Sequence, residues 1–362
     1  MQLIPTIDRL ARSAIYAMNE PTGFVDKTET TLSISTRTVT ITPTGTSFTF
    51  WQQGKKYVKT GAENTDIADT DGIHAVYYDD GSLTSIVNPS EAQYDELMED
   101  KVIVALVYWN STDVDAYIFG DERHGCIMSG ATHHYLHDTV GAAYQDGLTA
   151  SGYVVDGTTD ADLTFELTDG EFYDEDLEIE IEDGTPANWY EQQLNGGDAE
   201  IPILYRSGNP GHWTQDAATD LPYKTGGSGR MAYNSEAAGT WGQTEVTDGK
   251  WVSATLVATN DSEYPIKMIQ GQSEYATKAT AIEDANSEIL ALGNLPTKEW
   301  VVLYRFVMQT KNTYGSTPKA IIRDATDFRG SEISGTAAVA SDHGALAGLA
   351  DDDHSQYVLA DG

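Results

Sequence analysis

Residues 30–60 read TTLSISTRTVTITPTGTSFTFWQQGKKYVKT, and this stretch decides the fold class. Leu32, Ile34, Val39 and Ile41 alternate with Thr and Ser. A period of two places every second side chain on the same face of a β-strand, so the stretch predicts half-buried strands. Pro-Thr-Gly and Gln-Gly-Lys interrupt the pattern where turns are expected.

The same alternation covers residues 24–86 and returns further along the chain. Short strands separated by turns that contain Gly and Asp predict antiparallel β-sandwich or β-barrel modules. Further strands are predicted at residues 102–110, 115–120, 152–155, 161–167, 177–181, 201–205, 251–259, 265–269, 300–309 and 319–324. Residues 209–241 are rich in Gly, Ser and Thr and predict a loop-rich section.

Helical spacing is confined to a few segments. Residues 1–20 show an amphipathic pattern, residues 89–98 predict one short helix with Ser90 as its N-cap, and residues 273–292 predict a helix with Gly293 as its C-cap. The fold class is therefore mainly β, with a few short helices and an extended C-terminal tail that serves oligomerisation. We expect four parts: an N-terminal docking or oligomerisation helix (1–22), a β-rich module (23–122), a second β-rich part (123–330, with a junction at 123–148 and the helix at 273–292), and a linker with the C-terminal interface tail (331–362).

The chain is strongly acidic, with a net charge of −36 from 57 acidic and 21 basic residues. Phosphate binding needs a cationic face, so nucleic acid and anionic membrane surfaces are excluded as partners. Cations must screen such self-repulsion, which fits a halophilic or marine source as well as an ordinary acidic extracellular or virion protein. A single cysteine excludes an intramolecular disulfide, and no segment resembles a signal peptide or a membrane-spanning helix.

Histidines cluster in residues 123–148 beside the only cysteine, Cys126. His133 and His137 are four residues apart and would share one face of a helix at residues 132–138, which is a spacing that zinc ligands use. His124 and Asp138 are available as further ligands, but nothing in the sequence fixes them, so structural histidines at a junction are the favoured interpretation. Cys126 lies beside apolar residues that predict burial and lacks a nucleophile motif.

No pattern predicts catalysis, so we expect a protein that is not an enzyme. Phosphate-loop, dinucleotide and Gly-x-Ser-x-Gly patterns are absent from the sequence. The acidic run at residues 174–176 cannot be singled out among so many carboxylates, and the alternating Glu178, Glu180 and Glu182 predict the solvated face of a strand. No cofactor is expected, except that a divalent cation could bind a second cluster in the tail at Asp351, Asp353 and His354.

Aromatic residues punctuate the loop-rich section. Trp213, Tyr223, Tyr233 and Trp241 either anchor long connections or form a glycan-binding surface. Anchoring is the favoured interpretation for most of them, and Trp213, Tyr233 and Trp241 are the candidate glycan contacts.

The tail carries the most specific pattern of the chain. Residues 342–357 read DHGALAGLADDDHSQY and resemble the DHGxLxGLxDDDHxQY segment of fibre and other virion proteins of tailed viruses. Residues 50–60, 69–72, 77–86, 123–148, 201–208, 260–272 and 295–310 also resemble blocks of such proteins.

The resemblance implies a structural component of a bacteriophage or haloarchaeal virus, located in the virion. A homotrimeric tail fibre or baseplate protein that takes part in assembly and host attachment is the expected form. It implies contacts with other tail or baseplate proteins, and with a host glycan or protein receptor, and it transfers no catalytic residues. The expected trimer interface consists of His343, Leu346, Leu349, Asp352, His354 and Tyr357. A head-surface fibre or decoration protein, and a glycan-binding or glycan-hydrolysing appendage, are the alternatives.

Overall fold

A computed structural model describes residues 21–185, 188–195, 199–290 and 295–330. The helix predicted within residues 1–20, the linker and the tail at residues 331–362 lie outside the described residues, together with Asp351, Asp353, His354 and the expected trimer interface. The structure is 50% strand and 11% helix, which confirms the mainly β prediction.

Ten strands and one helix form the first part of the chain. They are β1 (Gly23–Phe24), β2 (Thr30–Ser35), β3 (Thr38–Pro43), β4 (Phe48–Gln52), β5 (Lys55–Lys59), β6 (Glu63–Asp66), β7 (Gly72–Asp79), β8 (Ser82–Val87), α1 (Glu91–Asp100), β9 (Val102–Asn110) and β10 (Asp115–Asp121). They build three antiparallel sheets in the orders β1-β4-β5, β2-β3-β6 and β10-β9-β7-β8. The alternation in residues 30–60 accordingly puts Leu32, Val39, Ile41, Phe48 and Phe50 into one buried core.

The second part begins with α2 (Gly130–Thr139) and contains the largest sheet. Its strands are β11 (Ala142–Gly147), β12 (Ala150–Ser151), β13 (Glu166–Leu167), β14 (Gly170–Asp174), β15 (Leu177–Asp183), β16 (Glu191–Gln192), β17 (Ile201–Ser207), β18 (His212–Thr219), β19 (Ala232–Ala237), β20 (Thr240–Glu245), β21 (Trp251–Thr259), β22 (Ile266–Gln270), β23 (Trp300–Thr310) and β24 (Ala320–Asp327), with α3 (Lys278–Leu290) before β23. The six-stranded sheet has the order β18-β17-β22-β21-β23-β24, and a four-stranded sheet has the order β11-β14-β15-β16. All pairs are antiparallel except β17 with β22 and β15 with β16.

Strand β9 is buried along its whole length because both of its faces are covered. Val104 and Val107 belong to the core of the first part, whereas Ile103 and Leu106 pack with Leu97 of α1. An unbroken apolar run is typical of a strand that is covered on both faces. The N-terminus of α1 is closed as predicted, since the Ser90 N–H donates to Gln93 Oε1 at 2.9 Å.

The two parts share a buried interface. Tyr108 of β9 packs in a common apolar cluster with Trp213 of β18 and Val257 of β21. The Trp213 N–H donates to Tyr108 Oη at 2.8 Å, and Asn110 Nδ2 donates to the Trp213 carbonyl at 3.0 Å. Neither part therefore completes its core without the other.

Several local predictions were wrong. Residues 152–155 and 161–165 form no strand, and only Glu166–Leu167 (β13) of the second predicted strand is paired. The Asp162 carboxylate accepts hydrogen bonds from the N–H groups of Thr158 and Thr159 at 2.8 Å each, and these bonds compete with strand pairing. The section at residues 209–241, predicted as loop-rich, is about half strand, because it contains β18, β19 and the start of β20. Ala238 and Gly239 both have positive φ values, of 52° and 82°, between β19 and β20, which suits a tight hairpin turn.

The helix predicted at residues 273–292 begins later than expected. Tyr275 is held by paired backbone hydrogen bonds with Trp251, of 2.8 and 3.1 Å, so the chain there is extended. The Thr277 hydroxyl accepts from the Thr280 N–H at 3.2 Å and caps a helix that starts at Lys278. Gly293, the predicted C-cap, lies outside the described residues.

Candidate metal centre

Three histidines and four carboxylates from distant parts of the chain meet in the interior. The groups of ligand atoms that lie within 4.8 Å of one another are His124 with His133 and Glu175, Glu122 with His124 and Asp174, and His137 with Asp174 and Glu299. We call these seven residues the histidine–carboxylate cluster. Its side chains come from four segments, each of which is fixed by its own local structure.

The first segment follows β10. The Phe24 N–H donates to the His124 carbonyl at 2.8 Å, and the Cys126 N–H donates to the Phe24 carbonyl at 2.9 Å, which holds residues 124–126 extended. Side chains alternate along extended backbone, so Glu122 and His124 face the cluster while Arg123 points away. The Arg123 guanidinium binds both oxygens of Asp121, at 2.6 and 2.8 Å.

Helix α2 supplies the second segment and confirms the helix predicted over residues 132–138. Ser129 caps it by accepting from the Thr132 N–H at 3.1 Å. His133 and His137 lie one turn apart on the buried face, with 8% and 7% exposure. His134 points outward and its ring faces the carboxylates of α1.

The third segment is the tip of the β14–β15 hairpin. Asp174 pairs with Leu177 in the strand register, so Glu175 and Asp176 form the turn, and Glu175 has a φ of 45°. This left-handed conformation is uncommon for a residue other than Gly, Asn or Asp, and such residues are found preferentially at functional sites. Asp174, the last residue before this turn, lies fully inside the protein, at 0% exposure.

Glu299 supplies the fourth segment at the start of β23. Its N–H donates to Thr297 Oγ1 at 3.0 Å, and the Thr297 hydroxyl donates to Asn260 Oδ1 at 3.0 Å. Asn260 Nδ2 in turn donates to Glu122 Oε1 at 2.9 Å. The amide of Asn260 therefore links the carboxylate of Glu122, through the Thr297 hydroxyl, to the backbone that carries Glu299.

The imidazole nitrogens face carboxylate oxygens across gaps longer than hydrogen bonds. His124 Nε2 lies 3.5 Å from Glu122 Oε2 and 3.7 Å from Asp174 Oδ2. His137 Nδ1 lies 3.4 Å from Glu299 Oε1 and 3.6 Å from Glu175 Oε1. Only the other nitrogen of His124 makes a short contact, at 2.7 Å from Asp176 Oδ1.

Most of the inward-facing polar atoms have no hydrogen-bond partner among the described residues. These are both oxygens of Asp174, Glu175 and Glu299, together with the Nε2 atoms of His124 and His133. Buried polar atoms in native proteins are almost always paired, and an unpaired buried carboxylate is especially costly. The arrangement is chemically suited to hold cations.

Burial changes the acidity of the carboxyl groups. It raises the pKa of Glu122 to about 7, with the nearby Asp174 carboxylate adding to the effect. Burial, and then the Glu175 carboxylate, raise the pKa of Asp174 to about 8. Burial also raises the pKa of Glu175, and it raises that of Glu299 well beyond its usual range. The four carboxyls therefore resist ionisation at neutral pH unless positive charge is supplied.

The histidines fall into two kinds. Burial lowers the pKa of His133 to about 2 and also lowers the pKa of His137, so both rings are neutral, the form that binds metals. Burial also opposes charge on His124, but the hydrogen bond to Asp176 and the Glu122 carboxylate outweigh it and raise the pKa of His124 well above its usual value. Burial opposes ionisation of Asp176, but the hydrogen bond from His124, the charge of that ring and the Gly125 N–H together lower the pKa of Asp176. A bound cation would replace the proton on His124 Nε2.

The structure brings together part of the set of residues that the sequence suggested. His133, His137 and the available ligand His124 lie in the cluster. Asp138 does not: it lies 3.1 Å from His134 on the outer side of α2. Cys126 is only half-buried and its neighbour Ile127 is 80% exposed, so the predicted burial was wrong.

None of the four carboxylates of the cluster was predicted from the sequence. Glu122 and Glu299 carry no pattern of their own, while Asp174 and Glu175 belong to an acidic run that looked like many others. Glu178, Glu180 and Glu182 of β15 are exposed, as predicted, whereas the acids at the hairpin tip point inward, a difference that is visible only in the structure.

The four aromatic residues of the section at 209–241 differ in how deeply they are buried. Trp213 is 4% exposed and packs in the cluster shared by the two parts, so it anchors its strand and offers no ring to a sugar. Tyr223 is also buried, and its hydroxyl donates to the Leu163 carbonyl at 2.9 Å. Tyr233 and Trp241 are partly exposed, and the guanidinium of Arg206 lies 4.2 Å from the Trp241 ring centre.

No protein family, curated protein or solved structure matches this chain. Among the residues that the structure describes, no helix has both the length and the apolar character needed to cross a membrane.

Proposed function

We propose that this chain is a structural subunit of a tailed-virus particle, of the tail fibre or baseplate type, and that it forms a homotrimer. The observation that carries the proposal is the segment at residues 342–357, whose pattern of small, apolar and acidic residues resembles virion proteins over its whole length. Its few large apolar residues are too sparse for an independent core, so the segment is suited to pair with copies of itself.

The described body supports a role that is not enzymatic. Six of the seven cluster residues are between 0% and 8% exposed. The seventh, Glu175 at the hairpin turn, is half-buried when its backbone is included. A cavity of about 20 Å³ borders Glu122, His124 and His133, which is room for about one water molecule. A wider cleft of about 590 Å³ is lined by several residues of the surrounding surface, and His137 is the one cluster residue among them. A closed site of this kind is typical of a structural centre rather than a catalytic one.

The oligomeric state is the first test. Light scattering on the full chain at high salt is expected to give three times the chain mass of 39.3 kDa. Leu346→Asp with Leu349→Asp should dissociate the trimer, because charges would enter its apolar contacts. Val58→Asp is the matched control at a surface position that is 53% exposed, and it should leave the mass unchanged. A monomeric full chain would contradict the trimer.

The position on the particle is the second test. Cryo-electron microscopy of the virion, with labelled antibody against this chain, is expected to find it on the tail. Label on the head surface would instead favour a head fibre or decoration protein. Label on neither would remove the virion proposal.

A glycan-binding role is the second candidate, and Trp241 is the residue that favours it. Its ring is partly exposed beside Arg206, as a stacking surface for a sugar would be. Trp241→Ala should then reduce adsorption to host cells, whereas Trp213→Ala would act only through stability. Unchanged adsorption with Trp241→Ala counts against glycan contact.

A further inference from the structure

The cluster buries more negative charge than its surroundings balance. Glu122, Asp174, Glu175 and Glu299 would together carry a charge of about −4 if ionised. Among the described residues, no Lys or Arg forms an ion pair with any of them, and the ammonium of Lys298 lies 5.8 Å over the ring of Tyr94. Burying a charge without a partner costs several kcal/mol per ion, so the four groups can be ionised together only if positive charge lies inside the cluster.

The unpartnered atoms point at common centres. Asp174 is completely buried, and neither of its oxygens has a partner among the described residues. The nitrogen–oxygen gaps of 3.4 to 3.9 Å are too long for hydrogen bonds. Two ligand atoms about 2.1 Å from one tetrahedral ion lie about 3.4 Å apart, so gaps of this size fit ligands that share a cation.

We propose that the histidine–carboxylate cluster is a binding site for divalent transition-metal ions. The geometry provides two adjoining positions. His124, His133 and Glu175 supply the first, with Glu122 beside them, and His137, Asp174 and Glu299 supply the second. Asp174 also lies within reach of the first position, through His124. Two divalent cations would balance the four carboxylates.

The ligand types select the kind of ion. Mg²⁺ and Ca²⁺ prefer sites made of oxygen ligands alone, whereas this cluster offers three imidazoles. Imidazole together with carboxylate suits Zn²⁺, Mn²⁺ and Fe²⁺. Asp176 completes the design from outside: it binds the far nitrogen of His124, as the carboxylates that orient metal-binding histidines do.

The ions would bind side chains from all four segments at one point and would add to the hydrogen bonds that already link some of them. The backbone after β10, helix α2, the β14–β15 hairpin and the start of β23 all contribute ligands. Three of these four segments belong to the second part, and the first lies at the boundary between the two parts. The metal centre therefore fastens the junction at residues 123–148 to the hairpin and to the large sheet.

Metal content and thermal stability test the proposal on the full chain. Protein purified without added metal should contain about two equivalents of a transition metal. Inductively coupled plasma mass spectrometry measures this content. Removal with EDTA should lower the melting temperature, and Zn²⁺ or Mn²⁺ should restore it while Ca²⁺ should not. At a free ion concentration 100 times the dissociation constant, each bound ion raises the folded-to-unfolded ratio about 100-fold.

Two isosteric variants separate a metal site from a merely structural cluster. Asp174→Asn and Glu299→Gln each remove a metal ligand, so their affinity for Zn²⁺ should fall below that of the wild type. The loss should exceed the roughly 10- to 100-fold that follows when a residue that only orients a ligand is changed. In EDTA they should melt no lower than the wild type, because each replaces an uncompensated buried carboxylate by an amide. Asp138→Asn, on the outer side of α2, is the matched control and should keep both metal and melting temperature.

The result that overturns the proposal is also independent of variants. Wild-type protein that contains no metal, and whose melting temperature responds no more to Zn²⁺ or Mn²⁺ than to Ca²⁺, would show that shared protons satisfy the cluster instead. Visible absorption bands of bound Co²⁺ would support the site, and they do not depend on any variant folding. None of these measurements depends on where in a particle the protein resides.

Discussion

Replacing Asp176 by Asn probes how the metal centre is held in place. Asp176 Oδ1 lies 2.7 Å from His124 Nδ1, and its Oδ2 accepts from the Gly125 N–H at 2.8 Å. This contact fixes the ring of His124 so that Nε2 faces the cluster. An amide oxygen can still accept from Nδ1, but the negative charge that makes the ring a stronger ligand is lost.

The expected magnitude follows from this outer position. Loss of a carboxylate that orients a ligating histidine lowers metal affinity by about 10- to 100-fold. That range corresponds to about 1.4–2.7 kcal/mol of binding free energy. Zn²⁺ affinity, measured by competition with a chromophoric chelator for the wild type and Asp176→Asn, provides the comparison. Asp138→Asn serves as the control, because Asp138 faces His134 at 3.1 Å and not the cluster.

Two outcomes would refute the assigned role of Asp176. Equal affinity in the wild type and Asp176→Asn would mean that His124 needs no orienting partner. Complete loss of Zn²⁺ binding, as severe as in Asp174→Asn, would mean that Asp176 itself ligates the ion. A drop of about 10- to 100-fold with unchanged stoichiometry is the result that a positioning residue gives.

Three further predictions concern stability. Lys267→Met should destabilise the fold by about 3–5 kcal/mol in urea unfolding, because it leaves the buried Asp261 carboxylate, 2.7 Å from the lysine, without its cation. Arg123→Lys should cost about 1.5–3 kcal/mol by the same assay, since a lysine cannot reproduce the two-point contact with Asp121; no loss would mean that the fork contributes nothing. Burial lowers the pKa of His74, so the folded state resists its protonation, and the stabilising effect of neutral His74 is lost as pH falls below about 6.5. The stability advantage of the wild type over His74→Gln should therefore shrink between about pH 7.5 and about pH 5, and a constant difference would contradict it.

The strands that the sequence predicted well are those whose burial is decided locally. The alternation around Leu32 and Val39 needs only one covered face, and the unbroken run of β9 needs only two. Capping residues such as Ser90 also act on their nearest neighbours, which is why the start of α1 was predicted correctly. Errors arose where a distant contact decided the backbone, as at Tyr275, whose pairing with Trp251 delays the start of α3.

The candidate site was predictable only in the part that one helix carries. His133 and His137 share a face because they are four residues apart, and that spacing is visible in any helix. Their carboxylate partners come from a hairpin and from a strand that starts at residue 300, so the pairing depends on tertiary structure. Among 57 acidic residues nothing local distinguishes Asp174 from an exposed neighbour such as Glu178.

The buried carboxylates are a different problem from the acidic surface. A net charge of −36 creates repulsion between exposed groups, and dissolved salt screens that repulsion over distances of about 10 Å. Screening by salt hardly reaches a site whose residues are almost completely buried, so high ionic strength cannot compensate Asp174 or Glu299. A halophilic setting would thus explain the surface composition while leaving the interior unexplained. The interior requires ions at specific ligands, which is why a chelator and a change of salt should affect this protein through separate parts of its structure.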